Sequence, residues 1–340
     1  TRMVNGKEIP SFAHDAGLKL TDLTDMTSRE ESIMSSWAEK IPGVRPSNRA
    51  YTAFINKLRA DTFESMVDDF KVFGVDTKVN IPAARDIAQF INTATGRGSL
   101  GSLEQSAKGL STALFSPRLI ASRLGMMSKG AQAVFSPEVY MMSQPSVRRE
   151  YLKSLFAIAG AGATVTTLGK MAGGTVESDP ASADFGKLKL GATRIDPYGG
   201  FQQYIVAATR LMPQLDKLGI KIGGRMKSTN TGIEYDLANP KYGQSDRADI
   251  LERLIRSKTN PIIGFAWSLA RHQRELSGQK MDFTTMNPLE NAVTQRFIPL
   301  LMQDMYDMIK EEGITPKTAI AGTLGTFGMS VQQYGKERPH

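Results

Sequence analysis

Tyr51-Thr52-Ala53-Phe54-Ile55-Asn56-Lys57-Leu58-Arg59-Ala60-Asp61-Thr62-Phe63-Glu64-Ser65-Met66-Val67-Asp68-Asp69-Phe70 decides the fold class. Tyr51, Phe54, Ile55, Leu58, Phe63, Met66, Val67 and Phe70 recur at three- and four-residue spacing, which gathers them on one face of a long helix. That face is expected to be buried, and Gly74 to end the helix. Upstream, Ser28-Arg29-Glu30-Glu31 has the spacing of a capping box and predicts a helix to about Lys40. Downstream, Asn80 as cap and Pro82 in the first turn open a third helix with Ile87, Phe90 and Ile91 as its buried stripe, stopped by Gly96.

The same signals recur along the chain. Ser102 with Gln105 offers a weaker capping box, and Ser116-Pro117 and Ser136-Pro137 each predict a short helix. Only Glu177 to Pro197 changes period: Lys187, Leu188, Lys189 and Leu190 alternate, Gly191-Ala192 can turn, and Thr193, Arg194 and Ile195 return. A small β-hairpin is expected within residues 184–196. Gly199-Gly200 then releases a helix from about Phe201 to Met212. Leu218 to Gln244 reads as a glycine-rich, partner-ordered loop. Three further helices are expected, over Asp246 to Ser257 and after Asn260-Pro261 and Asn287-Pro288, with Pro299 kinking or dividing the last. The fold class is therefore mainly α, an irregular multi-helix assembly with one small hairpin.

Across the 340 residues, 42 basic against 34 acidic side chains leave +8, a bias toward polyanions such as DNA or an anionic membrane. The excess concentrates between Arg97 and Lys153. There Arg97, Lys108, Arg118, Arg123, Lys129, Arg148, Arg149 and Lys153 face only Glu104, Glu138 and Glu150, eight against three, a local +5. These eight are the candidate nucleic-acid or partner contacts, set against the plainer reading that they solvate helix faces. With no cysteine, disulfides, thiolate metal sites and cysteine nucleophiles are excluded. Seventeen methionines suit repacking surfaces, although filling gaps in a helical core is the plainer reading.

Two uncharged stretches stand out: the sixteen residues Ser154 to Gly169, and the eighteen from Thr318 to Gly335, in which Gly322, Gly325 and Gly328 recur every third residue. The first is short for a membrane span, which needs about twenty apolar residues. Close packing inside an assembly is expected for both, with membrane insertion after release as the second use.

The motifs that carry chemistry lack their context. Gly96-Arg97-Gly98-Ser99-Leu100-Gly101 matches a dinucleotide-binding string but follows a predicted helix rather than a strand. Asp184-Phe185-Gly186 spells the magnesium triplet of protein kinases without a catalytic loop or a paired lysine, and reads as a turn with Phe185 buried. His14, His272 and His340 are scattered, and the pairs Asp68/Asp69 and Glu311/Glu312 fall on solvated helix faces. Neither catalytic residue nor cofactor nor metal is expected.

Ile91-Asn92-Thr93-Ala94-Thr95-Gly96-Arg97-Gly98, Leu114-Phe115-Ser116-Pro117-Arg118 and Ala121-Ser122-Arg123 resemble a large polyvalent protein-associated domain of giant phage and mobile-element proteins. The resemblance continues through Ser182-Ala183-Asp184-Phe185-Gly186-Lys187, Arg194-Ile195-Asp196-Pro197, Gly199-Gly200-Phe201-Gln202-Gln203-Tyr204 and Arg256-Ser257-Lys258. Phe327-Gly328-Met329-Ser330-Val331-Gln332-Gln333-Tyr334 is similar to the ends of many such chains. The resemblance covers roughly residues 85–310 and divides the chain into an N-terminal helical arm (1–84), the domain itself (85–310) and a glycine-rich tail (311–340).

The opening at Thr1 on a polar stretch fits a segment of a larger protein. What the resemblance implies is a protein packaged in the phage virion and delivered to the host envelope or cytoplasm with the genome. This segment would then be a non-catalytic, oligomeric anchor of an internal ejection protein. Its implied partners are the portal or companion ejection proteins, packaged DNA, and the host membrane after ejection. The alternative is a nucleic-acid-binding accessory domain of a virion-packaged RNA polymerase.

Overall fold

The computed structural model describes residues 2–4, 7–9, 11–20, 44–72, 81–136, 145–213, 223–229, 231–270, 281–288, 291, 293, 300–326 and 329–333. The helix predicted from Ser28, the stop at Gly74, the Asn80 cap and the start at Pro137 lie outside them. The described chain is mostly helical with small antiparallel sheets, and it divides into two compact units, residues 1–156 and 157–340.

In the first unit, strands β1 (Arg2–Val4) and β2 (Lys7–Ile9) pair antiparallel ahead of the short helix α1 (Ser11–Asp15). Helix α2 (Val44–Val72) packs on α3 (Ile81–Ala94), and α3 on α5 (Pro117–Phe135). Phe63, Met66, Val67 and Phe70 of α2 are buried with Ile87, Phe90 and Ile91 of α3, whose small Ala83, Ala84 and Ala88 let neighbouring backbones approach. The earlier half of α2 departs from expectation. Tyr51 is 66% and Phe54 63% exposed and Leu58 is also exposed, whereas Thr52, Asn56 and Arg59 are buried. The helix therefore turns its polar stripe inward there, because that stripe has hydrogen-bond partners waiting.

Gly96 takes φ 84° past the end of α3, the left-handed conformation that ends a helix at glycine. A capping box at Ser102 does not form. Residues Gly101–Ser106 wind a 3₁₀ turn without a side-chain cap, and Glu104, not Gln105, reaches back to a backbone amide, that of Leu100. Helix α4 (Ala107–Ala113) follows. Pro117 opens α5 as predicted, but the helix runs nineteen residues rather than a short stretch.

Helix α6 (Pro145–Met171) contains the boundary between the units. In the second unit, β3 (Thr175–Val176), β4 (Leu188–Leu190), β5 (Thr193–Asp196) and β8 (Ser330–Gln333) form one antiparallel sheet in that order. Leu188 faces Ile195, Leu190 faces Thr193, and Gly191 turns between them at φ 60°. These strands are thus the centre of a sheet rather than a lone hairpin, since β3 covers one side and β8 the other. Leu188, Ile195, Val331 and Met308 make the core beneath it.

Helix α7 (Gln202–Leu211) lies where Gly199-Gly200 released it. The expected loop holds a second hairpin, β6 (Arg225–Lys227) with β7 (Glu234–Asp236), whose strands of three residues each are too short for their alternation to stand out in the sequence. Helices α8 (Arg247–Arg256), α9 (Pro261–Ala270), α10 (Leu300–Glu312) and α11 (Pro316–Thr326) complete the unit. Asp246 and Asp249 close a reciprocal capping box on α8, and Thr315 bonds Thr318 at the start of α11.

Candidate nucleic-acid and partner interface

The loop after α3 holds the first predicted cation, Arg97, between two glycines. Gly98 lies so close to α5 that a Cβ there would sit 2.4 Å from the Ser122 amide nitrogen, and its own N–H donates to Ser122 Oγ at 2.7 Å. The glycine string is therefore a loop-to-helix weld, which is why its spacing resembles a phosphate cradle without the strand such a cradle needs.

Several of the eight cations are engaged within the fold. Arg118 Nη1 donates to Glu104 Oε1 at 2.6 Å, and Lys19 Nζ donates to the same oxygen at 3.0 Å. Arg148 Nε donates to the carbonyl of Ala133 at 2.8 Å, in the last turn of α5 where carbonyls lack helical partners. Lys153 pairs with Glu150 one turn away. Lys129 lies near Asp86, whose pKa burial raises and whose charged form the lysine favours. Arg123 is half-buried, Arg149 is exposed and Lys108 stands on α4. A guanidinium already bonded to a carboxylate or carbonyl has less to offer a phosphate, so Arg118 and Arg148 act first as joins.

Partial burial pushes the Glu104 carboxyl up, but hydrogen bonds from Arg118, Lys19 and the Leu100 amide outweigh it and hold its pKa at about 2. Arg59 is the cation that sequence reasoning missed. It is buried, with Nε on Thr95 Oγ1 at 2.8 Å, Nη2 on the Thr95 carbonyl at 2.9 Å and Nη1 on the Lys19 carbonyl at 3.3 Å. Burial first, and then the nearby charge of Arg97, lower its pKa to about 10. The available signal was the polar spacing Thr52, Asn56, Arg59, which the apolar stripe beside it obscured.

The second unit carries a charged network around its short strands. Arg225 bonds both oxygens of Asp179 at 3.0 Å and pairs with Glu234 at 2.7 Å, while Lys227 pairs with Glu177 at 2.8 Å. Arg194 and Lys187 both reach Asp184, at 3.0 and 3.5 Å. The Asp184-Phe185-Gly186 triplet is thereby tied to β5, and Phe185 is half-buried rather than buried. Asp196 accepts from the Tyr198 and Gly200 amides, which fixes the turn into α7. Among the described residues no cluster of three metal-ligating side chains occurs.

Helix α6 is the unusual surface. Its Gly162 and Gly169 sit against Tyr198 and Leu188, where a Cβ would approach within 2.1 Å of either side chain. The opposite side is open: Phe156 is 71% and Met171 80% exposed, with Gly160, Ala161, Thr164 and Leu168 exposed between them. From Val147 to Met171 the helix is long and apolar enough to cross a membrane, and only 17% of its most apolar window is buried. Comparison with protein-family models, curated proteins and solved structures found no match for the chain.

Proposed function

We propose that this chain is a non-catalytic assembly segment of a phage internal virion protein, anchoring its parent to the portal or companion ejection proteins. The observation that carries this reading is the exposed, uncharged side of α6. From Ser154 to Gly169 the helix has no charge, and most of that surface faces outward. A contiguous apolar strip of this kind is uncommon on a protein that works alone and is characteristic of a surface awaiting a partner. The resemblance of residues 85–310 to large polyvalent protein-associated domains supplies the phage setting.

The test is co-sedimentation of the purified chain with the portal and with each companion ejection protein, using the native sequence and a Phe156→Glu/Leu168→Glu variant. Both positions are exposed, so the variant should fold. Native chain that pellets with one of these proteins, and variant that does not, supports the reading. Native chain that stays free of all of them defeats it.

A further inference from the structure

Residues 11–20 lie on the first unit as a strap with a local fold of its own. Helix α1 ends in a glycine cap: Gly17 stands at φ 84°, its N–H donates to the His14 carbonyl, and the Leu18 N–H donates to that of Ala13. Ala13, Ala16 and Leu18 are buried, and the Phe12 ring lies 5.9 Å from that of Phe63 on α2.

The unit grips this strap by its main chain. Both ends of the buried Asn92 amide on α3 are spent on it: Nδ2 donates to the Gly17 carbonyl and Oδ1 accepts from the Lys19 N–H, each at 2.9 Å. Arg59 Nη1 donates to the Lys19 carbonyl at 3.3 Å, and Lys19 Nζ reaches Glu104 Oε1 at 3.0 Å. The helices beneath are joined without the strap, since α2 packs on α3 and Arg59 keeps its two bonds to Thr95. Were the strap to leave, Asn92 would retain a buried donor and a buried acceptor with nothing to meet them, a costly state. The groove therefore calls for a backbone carbonyl and amide two residues apart, with a buried apolar residue between them and a cation at the second position. Gly17-Leu18-Lys19 is that sequence, and every other copy of the chain carries it.

Twenty-three positions, 21–43, separate the strap from α2. All contacts within the groove are the same whichever copy supplies the strap, so the advantage of a copy's own strap is its effective concentration, on the order of millimolar for a linked segment.

We propose that this groove is an exchange site, which takes residues 11–20 of a second copy of this chain in place of its own and so links copies through their straps. The site lies away from α6 and stands whichever partner α6 meets.

The Lys19–Glu104 pair reports the exchange without any substitution. Its ammonium and carboxylate are in contact, with side chains 36% and 41% exposed, so a water-soluble carbodiimide can join them directly. Equal amounts of ¹⁵N-labelled and unlabelled full chain are mixed at about 10 μM and at about 1 mM, well below and near the effective concentration. Samples are coupled at intervals and digested, and the Lys19–Glu104 product is weighed. At the lower concentration it is expected to be wholly light or wholly heavy. At the higher one, mixed-label product should grow with time to about a quarter of the total, half the grooves having exchanged and half of those having met the other label. Asn92→Leu takes both bonds of the amide from the strap, and mixed-label product should then appear about tenfold sooner.

Product that stays unmixed at the higher concentration in both the native chain and Asn92→Leu overturns the proposal, because the strap is then a fixed part of its own copy. Mixed-label product that is present at once, and is indifferent to time and to Asn92→Leu, marks chance collision and overturns it too. So does the absence of any Lys19–Glu104 product, which would place the strap elsewhere.

Discussion

Each unit buries an arginine without a carboxylate bound to it, and the two are held differently. Arg59 spends its guanidinium on three protein acceptors, two of them carbonyls where α3 ends and where the chain leaves Lys19. Arg210 has one, the Ala181 carbonyl, and an enclosed nitrogen with none. A buried cation is thus no evidence of a ligand by itself; what distinguishes the two is whether the fold exhausts the donors.

That contrast is sharpest in stability. Arg59→Met should cost about 2–4 kcal/mol in urea unfolding, because it removes a buried guanidinium and strands two part-buried carbonyls at once. Should the loss be under about 1 kcal/mol, Arg59 is not the clamp described, and the two arginines are alike. Arg210→Met loses one bond but also removes an unsatisfied donor, so its cost should be smaller, about 1 kcal/mol. An equal or larger loss would mean that Arg210 too is fully engaged.

Between them in size falls Gly98→Ala, at about 1–3 kcal/mol, since the new Cβ meets helix backbone that cannot swing aside. A neutral result would show that the loop around Arg97 is not welded to α5.

The acid response sharpens the comparison from the carboxylate side. Glu104 has its folded pKa lowered from 4.5 to about 2, so its contribution is present above the ordinary value and is lost as pH falls from about 4.5 toward 2. Glu104→Gln should flatten that part of the stability profile of the native chain, followed by circular dichroism. In the second unit Glu177 and Asp179 are also lowered. Burial opposes the shift in both, and it is outweighed in Glu177 chiefly by the hydrogen bond from Lys227 and in Asp179 by those from the Ala181 amide and Arg225. Their loss adds on the same acid side. The smallest effect is expected from Lys227→Met, below about 1 kcal/mol and shrinking with salt, because the pair it breaks is only half-buried and still open to water.

How legible all this was depends on whether a residue's role was set locally. Helix α3 could be read because Pro82, the Ile87-Phe90-Ile91 stripe and Gly96 all act within one helix. The inverted half of α2 could not, since what buries Thr52, Asn56 and Arg59 rather than Tyr51 and Phe54 is in part the carbonyl of Thr95, thirty-six residues from Arg59. The same holds for charge. A count along Arg97 to Lys153 finds eight cations, but the carbonyl that takes Arg148 and the carboxylate that takes Arg118 are matters of packing. The β6–β7 hairpin is set by register and by its Asp179 and Glu177 partners across the loop, neither of which leaves a period in the sequence.

The pairing of β8 with β5 governs the order in which this molecule can be made. Val331 meets Ile195 at a sequence separation of 136, so one side of β5 has no neighbour until nearly the last described residue has been synthesised. Contacts that far apart in sequence form slowly, and a strand edge left open meanwhile is a template for pairing with another chain. A nascent chain stopped before Ser330 carries that edge, with Ile195 and Leu188 short of the Val331 that completes their core. Emergence of Ser330–Gln333 from the ribosome, rather than any event within the helices, is therefore the step that completes this sheet.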